Sequence, residues 1–289
     1  MSNGGREDDM RIGALASWFG SNRMLGPKVG EALRGCNWVG VVFAGGFAEV
    51  PHIKASTLVC NDKHKAIMNM AHVCADERLG PKLYRKLRRM EFSQERLDDA
   101  RDVCGLWEKG LAVSDDARLS WAEAYFIACW MNRSAKAGTD TEFDGGLPIR
   151  WSGGGGDSAL RFHNAVLGLP AWRRTLRRCS FYCEDFREFL LKCKDVEGNG
   201  IYADPPFFDV GSQYRHKFRD EDHVALYRAL CRFSKAKVVI RYYDHPMMRE
   251  LYGATPALWR FNPLEGGRTQ ANKTAPEVLI TNFPMEKAA

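Results

Sequence analysis

The run Trp38-Val39-Gly40-Val41-Val42-Phe43 is apolar and β-branched and stops at Gly45-Gly46, a pattern that predicts a strand ending in a glycine turn. A second run, residues 56–60, ends in Asn61-Asp62 and opens into residues 65–74, where Ile67, Met70, Ala71 and Cys74 recur at helical spacing. Strand signals return at 180–183, 200–203, 236–242 and 278–281, with helical patterns over 220–233 and 247–252 between them. Strands that alternate with helices predict an α/β fold, a doubly wound and largely parallel sheet with helices on both faces.

The stretch from 78 to 178 has a different character. Charges crowd in, no strand pattern is visible, and residues 121–131 read as a buried helical segment. It is expected to be an inserted region, helical and loop-rich, within a catalytic part made of 1–77 and 179–289. Residues 136–157 are rich in glycine, with Trp151-Ser152 followed by four glycines, and predict a mobile loop instead of a packed element. Between Ser158 and Cys183 stand Arg161, Arg173, Arg174, Arg177 and Arg178 and no acid. Such a face suits phosphates, and a merely solvated helix has the same composition.

Composition narrows the class. A chain of 289 residues, 45% hydrophobic and 27% charged, is too apolar for disorder and too long for a disulfide-stapled miniprotein. Its net charge of +6 is a mild bias towards polyanions. The longest uncharged apolar run, 38–48, falls short of the roughly 20 residues of a membrane helix, and the start, with Arg6, Glu7, Asp8 and Asp9, has no signal-peptide core. A cytoplasmic protein without a membrane partner is expected, as a monomer or weak dimer. The nine cysteines form no C-x-x-C pair, so they are read as reduced, mostly buried thiols, and no metal site is expected.

The chemistry concentrates at predicted strand ends. Phe43, Ala44, Gly45 and Gly46 end the first strand and Asp62 ends the second; in a doubly wound sheet these ends neighbour the ligand crevice. There the glycines admit a close-lying cofactor and the carboxylate accepts from ribose hydroxyls; a tight turn and a helix N-cap are the bland alternatives. Asp204-Pro205-Pro206-Phe207 follows another strand. Paired prolines remove two amide donors and leave an acceptor-rich pocket beside an aromatic face. The Asp204 carboxylate and the Pro205 carbonyl together suit the two N–H donors of an exocyclic amine, with Phe207 stacking on the ring; an ordinary Asp-Pro turn is the alternative. Asp185 and Phe186, after the strand at 180–183, could accept from and pack on an adenine, or simply begin a helix.

In this order the glycine turn, the two acidic strand ends and D-P-P-F resemble the S-adenosylmethionine-dependent adenine-N6 DNA methyltransferases, most closely the Dam-type or alpha group, over residues 18–282. The resemblance implies a methyltransferase-type sheet, S-adenosyl-L-methionine as cofactor, DNA as partner, and Asp204, Pro205, Pro206 and Phe207 as the catalytic tetrapeptide. It assigns Trp18, Phe19 and Gly20 to the cofactor, together with Phe43, Ala44, Gly45, Gly46, Asp62, Asp185 and Phe186, although the lysine usual after this aromatic-glycine element is Asn22 here, with Arg23 beside it. Asn132-Arg133 is similar to the family's Asn-Arg near the recognition region, and residues 277–282 resemble its closing strand. Arg150, Trp151, Arg173, Arg174, Arg177 and Arg178 complete the expected DNA contacts. Phe207 stands where the DNA enzymes usually carry Tyr. Phe at this place is also similar to ribosomal RNA guanine-N2 methyltransferases, so an RNA base, or a silent nucleic-acid-binding relative, stays open beside adenine N6 in DNA.

Overall fold

The computed structural model describes residues 13–20, 25–108, 114–133, 136–149, 156–208, 211–254, 258–264 and 276–285. In chain order the elements are α1 (Gly26–Ala32), β1 (Trp38–Val41), β2 (Thr57–Asn61), α2 (Lys65–Ala75), α3 (Leu79–Arg88), α4 (Gln94–Glu108), α5 (Asp115–Met131), α6 (Ser158–Leu176), β3 (Cys179–Tyr182), α7 (Phe186–Lys192), β4 (Asn199–Ala203), α8 (Asp220–Leu230), β5 (Lys237–Tyr243), α9 (Pro246–Gly253), β6 (Arg260–Leu264) and β7 (Glu277–Thr281). They group into a sheet unit (24–44, 49–63 and 180–289) and a helical unit (1–23, 45–48 and 64–179).

The sheet unit carries seven strands in the order β3-β2-β1-β4-β5-β7-β6. The pairs β1–β2, β1–β4 and β4–β5 are parallel, while β7 runs antiparallel to both β5 and β6. The order reverses between β1 and β4, and such a switch point opens a crevice beyond the strands' carboxyl ends. Apart from its end residues β5 is buried throughout, and β7 is buried along its whole length, as expected of strands covered on both faces. On one face Ile201, Val238, Ile240, Val278 and Ile280 pack with Phe189, Leu190, Leu226, Leu230, Met248 and Tyr252 of α7, α8 and α9. The alternate side chains Tyr202, Arg241 and Glu277 therefore point to the other face, where Gly200 lies against Leu33 and Cys36, which follow α1.

In the helical unit α5 packs against α2, α3, α4 and α6. Its buried residues run round most of its circumference, including Trp121, Tyr125, Phe126 and Trp130, which is the pattern of a central helix. Ser114 caps it by accepting from the Ala117 N–H at 3.1 Å, and Asp157 caps α6 by accepting from Ala159 N–H at 2.8 Å. Contact density places α2 and the described part of 1–23 in this unit, whereas the pattern of charge and glycine groups them with the sheet. The expectation of a mobile loop over 136–157 is corrected where the chain is described: Ala137, Thr139 and Glu142 are buried. No helix among the described residues is long and apolar enough to cross a membrane.

Candidate functional site

At the switch point the strand ends are tied together by Asn61, the last residue of β2. Its side-chain amide donates to the Val42 carbonyl at 3.0 Å and to the Glu184 carbonyl at 3.2 Å, and its oxygen accepts from the Glu184 N–H at 3.0 Å. The Ala44 N–H donates to the Asn61 backbone carbonyl at 2.8 Å. One buried residue thus fixes the ends of β1, β2 and β3 relative to one another. Asp62 follows it and is buried. The N-cap of α2 is His64 and not Asp62.

Beside these ends Phe43, Phe186 and Phe218 form an aromatic cluster with ring centroids 5.6–5.7 Å apart. Asp185 is the N-cap of α7, accepting from the Arg187 N–H at 3.1 Å, and its carboxylate also receives Lys63 Nζ at 3.1 Å. Those hydrogen bonds outweigh partial burial and hold its carboxyl below the ordinary range. The helix-start role is therefore occupied, and both oxygens already have donors.

Asp204 directly follows β4. Its Oδ2 accepts from Arg241 Nη1 at 2.9 Å, and Arg241 Nε donates to Glu277 Oε2 at 3.0 Å. The Arg241 side chain is only 2% exposed and bridges carboxylates at the ends of β4 and β7. Burial pushes the Asp204 carboxyl above the ordinary carboxylate range, against the opposing pull of Arg241. Glu49, also buried, is pushed up to about 7, first by burial and then by the charge of Asp204. Three carboxyls thus surround one guanidinium, and burial raises both Glu49 and Asp204 above the ordinary carboxylate range. The Tyr202 hydroxyl is buried beside Asp204 and Glu49 without a hydrogen bond of regular geometry. Burial and those two carboxylates keep its proton on. Tyr214, in the loop beyond the tetrapeptide, is raised chiefly by burial and then by Asp204, with Asp62 acting in the same direction.

The rest of the tetrapeptide is packed. The Phe207 ring is buried, meets Tyr243 edge-on at 4.4 Å between centroids, and has the Arg241 guanidinium carbon 5.1 Å from its centre. Phe208 lies between two imidazoles, His223 at 3.7 Å and His245 at 4.7 Å, both near-parallel to it. His223 is further fixed through Nδ1 to the Tyr242 hydroxyl at 2.8 Å. The backbone after Asp204 is therefore clamped.

The aromatic-glycine element lies in the helical unit. Phe19 N–H donates to the Ala137 carbonyl at 3.0 Å, and Leu15 N–H to Gly46 at 2.8 Å. Gly45 and Gly138 have positive φ, of 44° and 87°. A Cβ there would stand 2.8 Å and 2.5 Å from the Trp18 indole. Trp18 also meets His64 edge-on, with centroids 5.4 Å apart. His64 Nε2 pairs with Glu142 Oε1 at 3.1 Å, while Glu142 Oε2 accepts from the Tyr125 hydroxyl at 3.1 Å and the Gly138 N–H at 2.9 Å. Glu142 is thus a buried polar hub of this unit.

Asn132, expected at a DNA surface, is instead 1% exposed, and its amide donates inward to the carbonyls of Glu142 and Asp144 at 3.1 and 2.9 Å. Arg133 is exposed. Arg173 donates to the Glu77 carbonyl at 3.4 Å and Arg177 lies 4.0 Å from its carboxylate. Arg150, Trp151, Asn22 and Arg23 lie outside the described residues, whereas Arg174 and Arg178 lie within them. None of the nine cysteines is in a disulfide; six are buried, but Cys183 is exposed, so the reading of a core thiol fails there. No group of metal-ligating side chains occurs among the described residues. Asn61, Arg241, Glu277, Glu49 and Glu142 were not singled out by sequence reasoning. Arg241 alone carries a visible cue, a charge inside the apolar run of β5. Compared with protein-family models and with curated proteins, the chain matches none.

Proposed function

We propose that the chain is a methyltransferase that transfers a methyl group from S-adenosylmethionine to the exocyclic N6 of an adenine flipped out of DNA. The observation that carries this reading is the place of Asp204: a half-buried carboxylate on the D-P-P-F loop, at the carboxyl end of the strand that flanks the switch point. The sheet order suits the methyltransferase type that the sequence resemblance implies. The cofactor, when bound, supplies an electrophilic methyl on a sulfonium. Asp62, at the carboxyl end of β2, would accept from ribose hydroxyls, and the cluster of Phe43, Phe186 and Phe218 offers an aromatic surface for adenine. Asp185 fits less well because Lys63 and Arg187 already hold it.

Asp204 would accept a hydrogen bond from one amine N–H through its remaining lone pairs and, with the Pro205 carbonyl, orient the nitrogen lone pair at the methyl group. Unstacking the base costs a few kcal/mol, offset in part inside the pocket. A second reading, a nucleic-acid-binding relative without turnover, is favoured by one observation: Asp204 Oδ2 is engaged by Arg241 and the Phe207 ring is covered by Tyr243 and Arg241. Incubation with methyl-labelled S-adenosylmethionine and either DNA or RNA, followed by nucleoside separation, decides. Labelled N6-methyladenine in DNA supports the proposal. Label only in RNA redirects it to RNA bases, and no label in either supports the silent relative.

A further inference from the structure

We propose that the solvent face of α3 is the surface that holds the phosphate backbone of duplex DNA. The inference adds a location to the nucleic-acid reading above and rests on that partner, not on the chemistry at Asp204.

Residues 79–89 read Leu-Gly-Pro-Lys-Leu-Tyr-Arg-Lys-Leu-Arg-Arg, with five cations and no acid. Leu79, Gly80, Leu83 and Leu87 are buried, and Lys82, Arg85, Lys86, Arg88 and Arg89 are exposed. Positions 82, 85, 86 and 89 follow the i, i+3, i+4, i+7 spacing of one helix face. Like charges at this spacing repel one another, by a few tenths of a kcal/mol per pair, unless an anion lies across them.

Nearby carboxylates go mostly to other partners. Glu123 takes Lys86 at 2.5 Å, Glu91 takes Arg96 at 2.8 Å, Asp115 takes Arg78 at 2.8 Å, and Glu77 lies 4.0 Å from Arg177. Lys82, Arg85 and Arg89 have no ion pair among the described residues. The stripe spans roughly 10 Å at 1.5 Å per residue, the rise of about three phosphates of one strand at 3.4 Å each. It also adjoins the basic end of α6: the two helices pack together, and a Cβ at Gly80 would lie 3.1 Å from Arg173 Cδ.

The face suits a duplex better than the other polyanions. A helix that lies on a membrane buries its apolar side in lipid, but the leucines of α3 are already buried in the protein. Single-stranded RNA is held largely by bases stacked on exposed aromatics, and the one aromatic here, Tyr84, is half-buried with the Arg88 guanidinium 6.0 Å from its ring centre.

The test is binding of the full-length protein to a mixed-sequence 30-bp DNA duplex across a salt series. It compares wild type, Lys82→Gln/Arg85→Gln/Arg89→Gln, and the charge-matched control Lys194→Gln/Arg228→Gln/Lys235→Gln. The α3 variant should bind at least tenfold more weakly near 0.1 M salt, with a log–log slope shallower by about 2 to 3, while the control stays near wild type. Unchanged affinity and slope in the α3 variant, or an equal loss in the control, overturns the proposal. So does α3-dependent binding to phosphatidylserine vesicles or to duplex RNA in place of DNA. Because the readout is binding, a protein that shows the α3 effect and never transfers a methyl group sinks only the enzymatic reading. Methyl transfer to DNA with an unaffected α3 variant sinks only this one.

Discussion

Asn61 holds the backbone of Glu184 on both sides, donating to its carbonyl at 3.2 Å and accepting from its N–H at 3.0 Å. With the third bond to Val42, replacement by Ala leaves three backbone groups unmet. A loss of about 3 kcal/mol or more is expected, since each unsatisfied buried group costs roughly 1–3 kcal/mol. Asn61→Asp should lose at least as much, because it removes both donors and turns a buried carboxylate towards the carbonyls of Val42 and Glu184. Urea midpoints for the two variants check the order; equal midpoints for wild type and Asn61→Ala would remove Asn61 from its role as the tie.

Asp62→Ala should weaken S-adenosylmethionine binding by about 1.5–3 kcal/mol, the range for hydrogen bonds to a charged group. Calorimetry with the folded variant reads this directly, and an unaltered dissociation constant would return Asp62 to the scaffold.

Asp204→Ala should abolish methyl transfer with little change in cofactor affinity, and Asp204→Asn should be severely impaired. Arg241→Met leaves the buried Glu277 and the half-buried Asp204 without their cation, and breaking a buried pair typically costs about 3–5 kcal/mol. Adding Glu277→Gln to Arg241→Met should recover part of that loss. Full transfer activity in Asp204→Ala would show that the D-P-P-F carboxylate is a turn residue.

Glu49 gives the molecule a pH dependence of definite sign. Burial, and then the charge of Asp204, pushes its carboxyl up to about 7 from an ordinary 4.5, so the fold favours the protonated form. Its contribution is then fully present below about 4.5 and fades as pH rises through 7, by about 3 kcal/mol at 1.36 kcal/mol per pH unit. Glu49→Gln removes the titration. It should raise the thermal midpoint at pH 8 relative to wild type and narrow the gap at pH 5. Parallel curves for the two proteins from pH 5 to 8 would refute this.

Much of the fold was legible because buried strands leave continuous apolar runs. Six of the seven strands fall within a residue or two of the runs that predicted them. The exception, β6, carries Pro263 and no alternation, which an edge strand tolerates because its outer N–H groups need no partner. The helices α3 and α4 were hidden by charge, since their apolar positions are few and spaced among lysines, arginines and acids. At the site, Asp204 and Asp62 could be found because a carboxylate after a strand is a local pattern. Asn61, Glu49 and Glu277 could not, because their roles depend on partners 19 to 192 residues away in sequence, and no short window records that.

The contact between Trp18 and the glycine turn changes what that turn can testify to. Any side chain at position 45 would have to displace the indole or leave a strained backbone. Selection for a well-packed helical unit would therefore keep Gly45 in a chain that bound no nucleotide at all. A damaged Gly45 variant is evidence about the seating of Trp18 first, and the glycine that most invites a cofactor reading is the weakest witness for one.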